Sequence, residues 1–154
     1  PDDIFPAGHV REGLSASLPA CTSTDMSFAG IYGISVQQAV HRSAMKIYKM
    51  GPDDFISSKE AFVARVRDTL VAQGQGEYTL RLLISDSHVR DGIDQALSAK
   101  ELEEPIFYAA AETLGLNGFS YGYSWQSIVY DLGQCSIVIL TVTASLYSYN
   151  IAAS

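Results

Sequence analysis

Cysteine is scarce in this chain of 154 residues, with only Cys21 and Cys135 present, 114 positions apart. That excludes a disulfide-dense scaffold and any short C-x-x-C redox or zinc motif. Basic residues are also few, 10 Lys and Arg against 17 Asp and Glu, which leaves a formal charge of -7 and disfavours a phosphate backbone as partner. Long apolar runs are missing. The longest, 135–147, is broken by Ser and Thr and is too short to cross a bilayer. No phosphate-binding glycine loop, dinucleotide fingerprint, zinc spacing or calcium loop occurs, so neither a cofactor nor a metal is expected. A composition 47% hydrophobic and 10% aromatic excludes a disordered or fibrous chain and is sufficient for one packed core.

The length suits a single globular domain over 1–154. Residues 1–33 hold three of the five prolines (Pro1, Pro6 and Pro19) without a sustained period and read as an irregular N-terminal arm, with one short strand around Met26 to Tyr32. Ser35 and Gln38 have capping-box spacing ahead of Val36, Val40, Ala44 and Ile47, which predicts a helix over 35–49 ended by Gly51-Pro52. Ser57 and Glu60 form a second box before Phe62, Val63, Val66 and Leu70, a helix that ends near Gly74. Tyr78, Leu80, Leu82 and Ile84 fall on one side of an alternating pattern bounded by Gly76 and Asp86 and predict a strand. Asp86 or Ser87 then caps a helix carrying Val89, Ile93, Ala96 and Leu97.

Ser98 with Glu101 offers a third box, Pro105 predicts a break, and a further helix carries Ile106, Phe107, Ala110 and Leu114 up to Gly115. Residues 119–130 and 135–149 are aromatic and β-branched and predict two antiparallel strands joined as a hairpin, with Asp131-Leu132-Gly133 as the connection. The second of these strands is apolar on both sides near its middle, as a central strand would be. The expected fold class is α+β: an antiparallel sheet with a C-terminal β-hairpin covered by three to four helices.

Three groups of residues are candidates for chemistry. Asp86, His88 and Asp91 lie where a strand meets a helix N-terminus, and a histidine with two carboxylates is the material of a general base or metal site; the same residues are equally what a cap and a wet helix face require. Gly122 to Gln126 departs from a hydrolase nucleophile elbow at the second glycine, and Cys135 in an apolar strand has the setting of an inert thiol. Tyr121, Tyr123, Trp125, Tyr147 and Tyr149 recur at even spacing in two strands expected to pair, which would gather their rings on one sheet face as an interface or as core. Glu101, Glu103 and Glu104 form an acidic cluster suited either to a helix first turn or to docking Lys and Arg.

The first expectation for function is a noncatalytic acidic protein that docks a protein partner, basic in charge, through the acidic and aromatic residues just named. Size and acidity are those of immunity proteins and secretion chaperones, a comparison that rests on nothing finer. The alternatives are a small hydrolase or metal-dependent enzyme using Asp86, His88 and Asp91, and a structural subunit that forms homo-oligomers. A Cys21–Cys135 bridge would staple the arm to the last strand and place the protein in the periplasm or outside the cell; free thiols leave it cytoplasmic. Alkylation of the unreduced, unfolded chain decides between them: two labels mean free thiols, and none means a bridge.

Overall fold

The computed structural model describes residues 54–84, 86–131 and 136–149. The N-terminal arm, the strand near Met26, the helix expected over 35–49, the connection at Leu132-Gly133, and both Cys21 and Cys135 lie outside the described residues.

Helix α1 runs Lys59–Gln73. Its N-cap is Ser58, one residue after the expected Ser57, because Ser58 Oγ is the oxygen that accepts the Ala61 N–H at 3.0 Å. Phe62, Val66 and Leu70 face inward from one stripe, and Gly74 ends the helix at φ 84°. Strand β1, Gly76–Ile84, follows, and Asp86 caps helix α2, Ser87–Ser98, by accepting the His88 backbone N–H at 2.8 Å.

The box expected at Ser98 does not open a helix. Ser98 instead ends α2, and Lys100 takes a left-handed φ of 61° so that the N–H groups of Glu101 and Lys100 reach back to the Ala96 and Leu97 carbonyls at 2.9 and 3.1 Å. That is a Schellman closure built on lysine where glycine is the usual residue. A π-helical turn, Glu104–Tyr108, leads into helix α3, Ala109–Leu114, which closes at Gly115 with φ 75°.

The strands β2, Phe119–Asp131, and β3, Ser136–Ser148, complete a three-stranded antiparallel sheet of order β1-β3-β2. The architecture is therefore α+β, with β3 in the central position that its two apolar faces require. Tyr78, Leu80, Leu82 and Ile84 of β1 align with Ala144, Val142, Leu140 and Val138 of β3, and this face packs on α1, α2 and the π turn. Burying these aliphatic and aromatic side chains is the main stabilising term of the fold. No helix among the described residues is long and apolar enough to cross a membrane.

The left-handed Lys100 carries a Cβ penalty that glycine lacks, in a turn already closed by two hydrogen bonds. Lys100→Gly is expected to raise stability by about 0.5–1 kcal/mol, read as a higher urea midpoint at unchanged slope.

Candidate functional site

The aromatic residues of β2 are placed by register. Tyr121, Tyr123 and Trp125 stand opposite Leu146, Ala144 and Val142 of β3, so odd-numbered residues of β2 share the helix-covered face with even-numbered residues of β3. Tyr147 pairs with Ser120 and lies on the other face, 47% exposed, while Tyr149 sits just beyond β3 and is 70% exposed. The five rings expected on one face are therefore divided. Three form a half-buried ladder under the helices and two are exposed elsewhere, because the offset between the strands is odd.

The helical partner of this ladder is the π turn. Pro105 has no N–H to donate, and the Ala109 N–H reaches five residues back to the Glu104 carbonyl, which widens the turn. A wider turn narrows the angle between successive side chains, so the adjacent Phe107 and Tyr108 both meet the strand. Phe107 is buried and stacks on Tyr121 with centroids 4.7 Å apart and on Tyr123 at 5.8 Å. Tyr108 meets Phe119 edge-on at 5.0 Å and Tyr121 at 5.9 Å, and Trp125 stacks on Tyr123 at 5.8 Å. A cavity of about 10 Å³ lined by Phe62, Leu97, Phe107, Tyr123 and Val142 lies beneath, room for a single water at most. The rings pack on one another.

Each polar tip of the ladder has an acceptor in the helical layer. Tyr121 donates its hydroxyl to Glu103 Oε1 at 2.6 Å, and the Tyr123 hydroxyl lies 3.0 Å from the Leu97 carbonyl and 3.3 Å from Glu103 Oε2, sharing one proton between them. Trp125 Nε1 donates to Asp94 Oδ1 at 2.6 Å. The hydrogen bond to Glu103, then burial, then the negative charge of Glu103 hold the Tyr121 hydroxyl far above its ordinary 10.0. For Tyr123 burial comes first, followed by the charge of Glu103 and its hydrogen bond, in the same direction. A phenol held protonated in this way is a structural donor.

The three glutamates expected as one acidic cluster have separate environments. Glu101 is exposed and its backbone closes α2, Glu104 is exposed at the start of the π turn, and the half-buried Glu103 turns inward to the two tyrosines. Asp86 caps α2, His88 is exposed in its first turn, and Asp91 pairs with Arg90 Nε at 3.0 Å. Among the described residues no three His, Cys, Asp or Glu side chains are grouped as metal ligands would be. Gly122 to Gln126 runs through the middle of β2 rather than through a strand-to-helix turn. The partners that sequence reasoning missed are Asp94, Phe107 and Tyr108. The signal was a run of three amphipathic rings, whose O–H and N–H groups need acceptors wherever the rings are half-buried.

Removing the Glu103 carboxylate strands the Tyr121 hydroxyl. Glu103→Ala is expected to cost about 1–3 kcal/mol in urea unfolding, and Glu103→Gln less because an acceptor oxygen remains. A phenol whose folded pKa is raised contributes stability that is fully present below the unfolded value of 10.0 and is lost as pH rises beyond it. Stability should therefore fall above pH 10, with tyrosinate absorbance appearing later than in the unfolded chain; Tyr121→Phe should weaken both effects.

No protein-family model, curated protein or solved structure matches this chain, so its function is read from the geometry above.

Proposed function

We propose that this is a noncatalytic binding protein that docks a basic protein surface on an acidic and aromatic ridge. In this reading the platform is the C-terminal hairpin of β2 and β3 under its helical cover, and the ridge is carried by the π turn and α3. The supporting observation is Tyr108. It is 49% exposed, its ring braced edge-on by Phe119 and Tyr121, and it stands between Glu104 and Glu112, both exposed and each four residues away. A half-exposed tyrosine on a rigid aromatic support loses little conformational freedom on contact, and flanking carboxylates supply the charge that selects lysine or arginine.

Tyr149 extends this surface. Its backbone N–H bonds to the Gly118 carbonyl at 2.9 Å and its ring lies over Gly118, next in sequence to the Phe119 that braces Tyr108. Glu101 adds a further exposed carboxylate just before the π turn, whereas Glu103 belongs to the internal tie. The formal charge of -7 steers cationic partners toward the chain and nucleic acid away from it.

Titration of the full chain with a Lys/Arg-rich peptide tests this reading. Binding should weaken as salt rises, fall about tenfold in the triple variant Glu101→Lys/Glu104→Lys/Glu112→Lys, and fall again with Tyr108→Ala. Binding that ignores both salt and the charge reversals would overturn it.

A further inference from the structure

All the lysines and arginines of the chain fall within 1–100, where they nearly balance the acidic residues. Residues 101–154 contain no Lys, Arg or His and carry Glu101, Glu103, Glu104, Glu112 and Asp131, so most of the formal charge of -7 belongs to the part of the chain that builds the π turn, α3 and the hairpin. Among the described residues neither Glu104 nor Glu112 has an ion-pair partner. The cation that these two carboxylates call for comes from outside this stretch of chain.

The π turn sets where they stand. Tyr108 is its last residue, and α3 begins at Ala109. Four residues of an α-helix overshoot a full turn, whereas four residues of the wider π turn fall short of one, so Glu104 and Glu112 are displaced toward the same flank of Tyr108. In an unbroken α-helix they would fall on opposite flanks. Their backbones are about 12 Å apart along the axis or a little less, with the tyrosine ring beside the gap between them. That ring is fixed in advance, since Phe119 and Tyr121 brace it at 5.0 and 5.9 Å while it stays 49% exposed.

We propose that this ridge selects arginine over lysine in its partner, an inference that rests on the docking reading above. A guanidinium is planar, weakly hydrated and bears donors along its edges, so one stacked on Tyr108 can direct N–H groups toward Glu104 and Glu112 at once. An ammonium is a strongly hydrated point charge. It pairs with one of two separated carboxylates at a time and gains less from the ring. The row of carboxylates beside a braced ring therefore discriminates by shape, where the net charge of the chain attracts both cations equally.

Titration of the full chain with two peptides, alike except that one carries arginine wherever the other carries lysine, tests the inference. The arginine peptide should bind roughly three- to fivefold more tightly, and Tyr108→Leu should bring the two affinities together while Tyr108→Phe keeps them apart. Where Tyr108→Leu loses the native circular dichroism, the double variant Glu104→Gln/Glu112→Gln leaves the ring in place and should cost the arginine peptide more affinity than the lysine peptide. Equal wild-type affinities, or a preference unchanged in natively folded Tyr108→Leu or in the double glutamine variant, would overturn arginine selection and leave the docking of a basic surface standing. Binding of neither peptide to the wild type would overturn both.

Discussion

The register between β2 and β3 is the constraint from which the rest of this structure follows. β3 is bonded on both sides, to β1 from Gly76↔Leu146 through Ile84↔Val138 and to β2 from Phe119↔Ser148 through Asp131↔Ser136. A slip of one residue in the second pairing would turn Tyr121, Tyr123 and Trp125 away from the helices and bring Ser120, Gly122 and Ser124 onto the core. The helical layer is built for the first arrangement only, since Phe107 needs rings to stack on and Glu103 and Asp94 need donors.

The Glu103 tie shows how this molecule manages a half-buried charge. A carboxylate leaving water must find donors of comparable strength, and two phenols at 2.6 and 3.3 Å supply them. The same contact holds the phenols protonated and draws the edge strand to the turn between α2 and the π helix. What is left at the surface is the outer rim of that packing. Tyr108 is exposed there because its ring rests edge-on against the ladder, and the ridge proposed for docking is the solvent side of a structural brace.

Much of the fold was legible residue by residue. Alternation in 76–84 and in the last two strands, the cap at Asp86 and the glycine stop at Gly115 all act within a few residues, which is the range over which a sequence speaks directly, while the cap of α1 lies at Ser58, one residue past the expected Ser57. The candidate site was legible only in its ingredients. The tyrosines, the tryptophan and the glutamates were named from their spacing, yet which glutamate faces inward depends on where α2 stops, and a lysine in the left-handed region gives no local sign that it stops there. Pro105 announced a disturbance; its outcome, a π turn that swings Phe107 and Tyr108 onto one strand, needed that strand to be present.

The sequence by itself determined an acidic α+β chain with a central apolar strand, because charge balance, hydrophobic period and capping are properties of neighbouring residues. Tertiary structure alone decided the division of the aromatic rings between the two faces, the inward turn of Glu103 and the exposure of Tyr108. The first depends on the register between β2 and β3, a property of the pair that neither strand encodes alone, and the other two on where α2 stops and how the π turn meets the sheet.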